Sequence, residues 1–248
     1  MNSPSTMNAV KKIDYGVDAP GVLRGFFISG LLTVGVGWWL RSVPTEWLRV
    51  NISPFLVTLG GWLFLSGVLM FLYVKYGKFI HRDRMLGRIQ WRGDESVLDV
   101  GTGRGLLLVG AAKKLKTGRA IGIDVWSQID MAANSEANTL ANILAEGVQA
   151  QAAVQEGDAR KMSFPESSFD IVLSNLCLHN ISDAEGRRQA CLEIARVLKP
   201  GGTALISDFM KTKEYVAAFR EAGLSVERSL PYWIDTFPPL RIVTAKKH

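Results

Sequence analysis

The pattern of hydrophobic and polar positions divides this chain of 248 residues into two parts. Residues 21–40 and 52–74 are nearly continuous apolar runs, and Arg24 is the one charged residue within them. As helices they would be about 30 and 35 Å long, which is enough to cross a hydrocarbon core of about 30 Å. The first part of the chain therefore predicts a pair of transmembrane helices.

Beyond residue 93 the pattern changes to short apolar runs that alternate with amphipathic stretches. Short apolar runs bounded by glycine and polar residues are typical of buried strands, and the amphipathic stretches have helical periodicity. The predicted strands are 97–100, 119–124, 152–155, 169–174 and 203–207, and the predicted helices are 106–115, 135–146 and 185–198. Residues 199–202, Lys-Pro-Gly-Gly, would end the last of these helices. This alternation indicates an α/β fold with a parallel sheet.

A glycine-rich turn follows the first predicted strand. Gly101, Gly103 and Gly105 let the chain turn sharply and bring backbone N–H groups against a ligand. The next predicted strand ends at Asp124, where a carboxylate can accept hydrogen bonds from ribose hydroxyls. The glycines could instead serve only the packing of helix against strand, but the position of Asp124 favours a nucleotide-like cofactor.

Five motifs occur in order along this second part of the chain. They are VLDVGTGRG at 97–105, GID at 122–124, EGDA at 156–159, FPESSFDIVLSN at 164–175 and RVLKPGG at 196–202. Together they resemble the class I S-adenosylmethionine-dependent methyltransferases. Within that class, the motifs are similar to those of the small-molecule enzymes of the ubiquinone and menaquinone pathways. The resemblance implies a Rossmann-like, doubly wound, mostly parallel sheet of seven strands, with S-adenosyl-L-methionine as the cofactor.

The resemblance also implies which residues hold the cofactor. Asp99 and the glycines would hold the methionine end, and Asp124 the ribose. Asp158 and Ala159 would face the adenine, and Asn175 would open onto the transferred methyl group. The implied cofactor-binding set is Asp99, Gly101, Thr102, Gly103, Gly105, Asp124, Val125, Trp126, Asp158, Ala159 and Asn175.

Some of these roles have structural alternatives. Residues 125–130 are an addition to the family pattern, and Trp126 within them could either cover the adenine or be a core tryptophan. Asp158 could be a solvated acid in a turn, since Gly-Asp is common in turns. Arg104 fills a variable position of the glycine run and is predicted to be a solvated surface residue.

Methyl transfer from a sulfonium mainly requires proximity and orientation, and it needs a general base only if the acceptor arrives protonated. His179, just past the fourth predicted strand, is the first candidate because an ordinary histidine pKa is about 6.5. It follows Asn175 by four residues, so the two side chains would share a face if that loop is helical. Asp208, at the end of the fifth predicted strand, is the second candidate. The alternative for His179 is a structural role, such as capping the next helix.

The two cysteines and three histidines of the chain form no recognisable zinc pattern, so no metal is predicted. Cys177 is predicted to be a packing residue of its loop, because an acceptor attacks the cofactor directly.

The apolar runs carry further features of membrane helices. Aromatic side chains near their ends match the belts found at membrane interfaces, namely Trp38, Trp39, Trp47, Tyr73 and Tyr76. Glycines at intervals would let the two helices approach closely, namely Gly30, Gly37, Gly60 and Gly67. The alternative is two buried helices of an additional soluble domain.

The flanking charges suggest an orientation. Residues 75–92 contain six basic side chains and one acid, and the whole chain has a net charge of +6. The positive-inside rule places such a basic collar in the cytoplasm, where anionic lipid headgroups attract it. This explains the positive charge without nucleic-acid binding, which is not predicted.

These observations predict a flexible N-terminal tail (1–20), a transmembrane hairpin (21–74), a basic juxtamembrane segment (75–92) and a methyltransferase domain (93–248). The expected protein lies in a bacterial-type cytoplasmic membrane and methylates a small hydrophobic or amphipathic acceptor. The alternatives are methylation of a protein side chain in a membrane complex, and a non-catalytic cofactor-binding membrane protein. The apolar segment 232–239 would form a substrate wall, or rest on the membrane or the sheet.

Overall fold

The computed structural model describes residues 13–127 and 134–248. The helices are α1 (Pro20–Trp39), α2 (Ser53–Leu72), α3 (Lys78–Leu86), α4 (Leu106–Ala112), α5 (Glu136–Ala145), α6 (Ala184–Val197) and α7 (Thr212–Glu221). The strands are β1 (Ser96–Val100), β2 (Arg119–Asp124), β3 (Ala152–Glu156), β4 (Phe169–Asn175), β5 (Leu198–Asp208), β6 (Ser225–Arg228) and β7 (Arg241–Lys246).

All seven strands belong to one sheet with the order β3-β2-β1-β4-β5-β7-β6. The first five strands pair in parallel, and β7 is antiparallel to both of its neighbours. This arrangement confirms the predicted Rossmann-like, doubly wound sheet. The strand order reverses between β1 and β4, and in such sheets ligands bind at the carboxyl ends of the strands beside the reversal.

Both faces of the sheet are covered at its centre, which explains why β1, β2 and β4 are mostly apolar. Leu98, Ile194 and Phe219 belong to a buried cluster on the side of α6 and α7. Leu108 and Leu173 belong to a second cluster on the side of α4. A parallel sheet buried on both faces fixes the carboxyl ends of its strands rigidly, and these ends hold the site.

The fifth strand begins earlier than predicted. Residues 199–202 do not separate helix from strand, because β5 already pairs with β4 between Leu198 and Phe169. The register then shifts before Thr203 pairs with Ile171, and Gly201 adopts a φ of 78° within this irregularity. The glycines thus let the strand continue past an irregular point. Helix α4 also ends at Ala112, three residues before the predicted end.

The first two helices pack against each other where their backbones come close. A Cβ atom at Gly60 would lie 2.7 Å from the carbonyl oxygen of Gly30, and one at Gly37 would lie 3.0 Å from Val57. Gly67 is likewise buried, against Phe27. The prediction that these glycines allow close approach is confirmed.

The outer surface of the helical pair is apolar. Both helices are long and apolar enough to cross a membrane, judged by length and composition. Trp38, Trp39, Trp47 and Tyr76 each expose more than 60% of their surface. Tyr73 differs from the prediction because it is 4% exposed and faces the protein, where it packs with Val74 and Leu240.

The basic segment 75–92 is only partly free to meet lipid headgroups. The second helix continues through a π-helical turn, Tyr73–Gly77, into α3, so this segment is mostly helical. Lys78 is buried and donates to the carbonyl oxygens of Tyr15 and Gly16 at 3.1 and 2.6 Å. The following turns bind the loop before β7, because Arg84 pairs with Asp235 and Arg88 donates to the Tyr232 hydroxyl at 2.7 Å.

The described part of the predicted tail is not free either. Asp14 forms an ion pair with Arg104 at 3.1 Å, and its backbone exchanges hydrogen bonds with the Asn142 side chain. The Tyr15 hydroxyl donates to Glu146 at 2.7 Å. These contacts hold Asp14 and Tyr15 against the α/β domain, so this part of the predicted flexible tail is bound to the domain. Residues 1–12 lie outside the described residues.

The glycine contacts generate a prediction about the helical pair. Gly30→Leu should destabilise the detergent-solubilised protein, because the new side chain would clash with the backbone of Phe64 and Gly60. Overpacking of this kind costs about 1–3 kcal/mol. Gly35→Leu on the same helix is the matched control, since a Cβ there has no described atom within 4 Å. Thermal denaturation in detergent measures both variants, and equal melting temperatures would contradict the packing shown here.

Candidate active site

A chamber of about 1070 Å³ lies at the carboxyl ends of β1, β2 and β4. This volume is at the upper end of ligand cavities, which commonly measure about 300–1,000 Å³. Ten of the thirteen predicted site residues line it: Asp99, Gly101, Thr102, Gly103, Asp124, Val125, Asp158, Ala159, Asn175 and His179. The remaining three, Gly105, Trp126 and Asp208, do not.

The glycine-rich turn forms the floor of the chamber. Gly101, Gly103 and Gly105 have φ values of 70°, 52° and 84°, a region that favours glycine. The amides of Gly101 and Thr102 both donate to the carbonyl oxygen of Ile123, which ties the turn to β2. Cys177 packs directly on Gly101, where any Cβ would collide with its side chain. Its thiol pKa is raised by burial, which fits the predicted packing role.

Asp124 joins three backbone segments at the end of β2. Its carboxylate accepts hydrogen bonds from the amides of Gly103 and Trp126, both at 2.8 Å, and from the Asn134 side chain at 3.2 Å. A carboxylate has about four acceptor positions, so at least one remains for a ligand. Asp124 therefore holds the turn in shape and faces the chamber at the same time.

Asp99, by contrast, is almost completely buried beneath the turn. Its Oδ2 atom accepts from the Thr102 hydroxyl at 2.8 Å and from the Leu108 amide at 3.0 Å. Burial is the largest influence on this carboxyl and raises its pKa to about 7, and the charge of Asp124 acts in the same direction. A cationic ligand in the chamber would favour the ionised form of Asp99.

The other predicted cofactor residues differ in their placement. Val125 and Ala159 line the chamber, whereas Trp126 is half-buried outside its lining. Asp158 lines the chamber while its carboxylate is held by Arg160, with a shortest contact of 2.6 Å. The hydrogen bond from Arg160 lowers the pKa of Asp158. Residues 128–130 of the addition lie outside the described residues.

His179 and Asp208 form a pair at the edge of the chamber. The Nδ1 atom of His179 is 3.0 Å from Oδ2 of Asp208, which also accepts from the Tyr215 hydroxyl at 3.1 Å. Asp208 is fully buried, so it lies behind the imidazole and does not reach the chamber itself. A carboxylate at this position favours a hydrogen on Nδ1 and leaves Nε2 as the basic atom.

The loop that carries His179 is not a continuous helix. The condition under which His179 and Asn175 would share a helical face is therefore not met. Asn175 ends β4, Leu176 has a φ of 53°, and only Leu178–Asn180 forms a 3₁₀ turn. Both His179 and Asn175 nevertheless line the chamber, because the loop folds back over the strand ends.

Several lining residues were absent from the prediction. Arg104 was expected in solvent, but it is buried against Asp14 because the chain before α1 covers it. The helical pair contributes side chains of both its helices and of the following turn, namely Val22, Phe26, Met70 and Tyr73. Hydropathy marks these residues as part of a membrane span and carries no signal that they face a cavity.

The chamber fits the implied cofactor. Within the described part of the chain, the Oδ1 atoms of Asn134 and Asn175 have no hydrogen-bond partner, and both residues line the chamber. Backbone amides, carboxylates and amide oxygens are suited to a polar, positively charged nucleoside derivative. Among the described residues, no cluster of three or more His, Cys, Asp or Glu side chains could hold a metal.

Comparison with known proteins agrees with this geometry. Residues 98–206 match the family model described as a methyltransferase domain. The demethylmenaquinone methyltransferase of Tropheryma whipplei is 34% identical over 126 residues, covering 50% of this chain and 46% of that protein. The ubiquinone/menaquinone biosynthesis C-methyltransferase UbiE of Laribacter hongkongensis is 36% identical over 116 residues, covering 46% and 43%. The chain thus spans less than half the length of these relatives.

The fold has counterparts among solved structures. A SAM-dependent methyltransferase from Aquifex aeolicus superposes with a TM-score of 0.52 and 20% identity, covering 66% of this chain and 88% of that one. The seven-stranded sheet therefore has the Rossmann-like α/β fold of that solved structure. By sequence, residues 98–206 carry a methyltransferase domain.

The position of Asp124 generates a prediction about cofactor binding. Asp124→Ala should weaken the binding of S-adenosylmethionine and S-adenosylhomocysteine alike, by about 1–3 kcal/mol, because a buried acceptor is lost. Isothermal titration calorimetry measures both affinities. Asp94→Ala is the control, since that carboxylate is exposed and outside the chamber. Unchanged affinity in a folded Asp124 variant would contradict the assignment.

Proposed function

We propose that this protein is a membrane-anchored S-adenosylmethionine-dependent methyltransferase that acts on a small hydrophobic or amphipathic acceptor. The observation that carries the proposal is the make-up of the chamber wall. One side consists of the glycine turn and strand ends, and the other side consists of the neighbouring ends of α1 and α2. A cofactor site that shares its cavity with two apolar helices suits an acceptor dissolved in lipid.

The exposure of the helical pair supports membrane anchoring. Only 11% and 22% of the most apolar windows of the two candidate spans are buried, whereas a core helix of a soluble protein would be mostly buried. The loop before β7 adds an apolar tip next to the end of the second span. Leu230, Trp233 and Ile234 are largely exposed there, and the backbone of Asp235 contacts Gly77. With the basic segment 75–92, these features favour a catalytic domain on the cytoplasmic face.

The names of two relatives indicate the kind of acceptor. One name refers to demethylmenaquinone and the other to ubiquinone/menaquinone biosynthesis. We infer by analogy a quinone-like small molecule for this chain. The apolar residues of the chamber, including Phe26 and Phe237, are compatible with such a ring-bearing acceptor.

In the proposed reaction, the bound cofactor supplies a methyl group already activated by a positively charged sulfur. The chamber walls orient the acceptor and exclude water. The glycine turn, Asp124 and Asn175 would hold the cofactor, which would supply its methyl group to the acceptor and leave as the neutral thioether. A protonated acceptor gives its proton to Nε2 of His179, and Asp208 then stabilises the imidazolium.

Labelled membranes test the proposed function. Membranes containing the protein are washed with alkaline carbonate and incubated with methyl-labelled S-adenosylmethionine. Because the protein is held by spans, activity should stay with the washed membranes, and the label should partition into the organic extract. Membranes with the Asp124→Ala variant are the control. Label confined to precipitated protein would contradict the small-molecule acceptor, and activity released by carbonate would contradict the anchor.

The His179–Asp208 pair generates a prediction about turnover. His179→Ala should lower methyl transfer by about 10²–10⁴-fold while cofactor affinity stays nearly unchanged, because a general base is lost. Initial rates of methyl transfer and calorimetry measure the two effects. If the variant keeps most of its activity, the acceptor ionises without a base and His179 has a structural role.

A further inference from the structure

The chamber has two chemically different ends. Its lower end, described above, consists of the glycine turn and the carboxylates around it. The opposite end, called here the apolar compartment, is formed by Val22, Phe26, Met70, Phe237 and Pro238. The rings of Phe26 and Phe237 meet edge to face with centroids 6.3 Å apart, which closes the wall between α1 and the loop before β7. The volume therefore offers an apolar compartment beyond the predicted cofactor residues.

Two polar side chains lie where the compartments meet. Tyr73 is 4% exposed, lines the chamber and lies next to Asn175. Yet neither the Tyr73 hydroxyl nor Oδ1 of Asn175 has a hydrogen-bond partner of normal geometry among the described residues. A buried polar group without a partner is destabilising, so a ligand that pairs with both atoms would bind more tightly.

The chemistry of these two atoms defines what would satisfy them. The Tyr73 hydroxyl can donate a hydrogen bond, whereas Oδ1 of Asn175 can only accept one. A single hydroxyl group meets both needs, because its oxygen accepts from Tyr73 while its hydrogen is donated to Asn175. A ketone or an ether lacks the hydrogen and would leave Asn175 unpaired, so among quinone-like acceptors these two atoms select the reduced form, which carries hydroxyls.

The apolar compartment reaches the outer surface at the start of α1. Val22 lines the chamber and is 53% exposed, so one face of this residue borders the cavity and another lies outside. It is located two residues after Pro20, where the first apolar helix begins. In the proposed membrane-anchored protein, this position lies at the boundary of the lipid.

We propose that the acceptor enters the chamber directly from the membrane beside Val22, and that Tyr73 and Asn175 hold a hydroxyl on its polar head. The apolar part of the acceptor then occupies the compartment around Phe26 and Met70. Tyr73, which belongs to the segment following the second apolar helix, thereby determines which molecules are placed beside the cofactor. This inference rests on the proposed function and specifies the substrate class and its route.

A photoreactive probe tests the inference without requiring methyl transfer. The probe is 4-dodecylphenol with a diazirine in its alkyl chain, added to the full-length protein in nanodiscs of phosphatidylcholine and phosphatidylglycerol. Labelling should map to the peptides around Phe26 and Met70. The corresponding methyl ether should label more weakly, because it has no hydrogen to donate to Asn175. Equal labelling by phenol and ether would overturn the hydroxyl assignment.

Variants with matched controls test the two parts of the proposal. Tyr73→Phe should weaken half-maximal phenol labelling about three- to tenfold, the effect of one lost hydrogen bond. Tyr76→Phe, on the exposed side of the same helical segment, should change nothing. Val22→Trp should reduce labelling by blocking the entrance, whereas Val36→Trp, at a similarly exposed site on the same helix, should not.

Calorimetry with S-adenosylhomocysteine separates the possible failures. Its affinity should be equal in the wild type and in the Tyr73 variant, and a loss would assign Tyr73 to the cofactor site and overturn the inference. Unchanged labelling in both Tyr73→Phe and Val22→Trp would also overturn it. In contrast, a wild type that binds the probe but methylates nothing in membranes would contradict the proposed function and leave the binding result intact.

Discussion

One continuous helix determines how the parts of this molecule are arranged. It extends over Leu48–Leu86, 39 residues or about 58 Å, from the apolar pair into the catalytic domain. Its far end is fixed, because Met85 and Leu86 are buried in the core and His81 contacts the Ser207 hydroxyl at 2.6 Å. A flexible linker would let the domain turn relative to the helical pair. This helix instead holds Tyr73 against the strand ends, so the chamber wall includes residues from both parts.

A second constraint acts within the site, where backbone atoms must meet the ligand. The positive φ values of the glycine turn are stable because Asp124 accepts from Gly103 and because the carbonyl of Ile123 accepts two amides of the turn. The same carboxylate faces the chamber, so the residue that shapes the turn is also available to the cofactor. The buried Asp99 beneath it would gain from a cation above. The conformation of the glycine turn and the affinity for the cofactor therefore both depend on Asp99 and Asp124.

The sequence allowed the sheet and most of the cofactor site to be predicted, because both depend on local patterns. The bounds of β2 match the prediction, and the glycine turn and Asp124 follow directly from neighbouring residues. Tertiary contacts explain what was missed. Arg104 is buried because Asp14, ninety positions earlier, pairs with it. Tyr73 faces inward because it packs with Leu240, from the end of the chain, and lies next to Asn175. Neither contact can be recognised from the hydrophobic periodicity of the sequence.

The shared chamber also has an energetic rationale. Moving an acyl chain from lipid into water costs about 0.8 kcal/mol per methylene, so a chain of twelve carbons would lose about 10 kcal/mol on the way to a site open only to solvent. On the proposed route from the membrane, the apolar wall formed by Val22, Phe26 and Met70 would remove most of that penalty, because the chain would stay among apolar side chains throughout. In this view the helical pair is part of the active site as well as an anchor. An unrelated membrane span could replace the anchoring function, but it could not supply the Tyr73 hydroxyl beside Asn175.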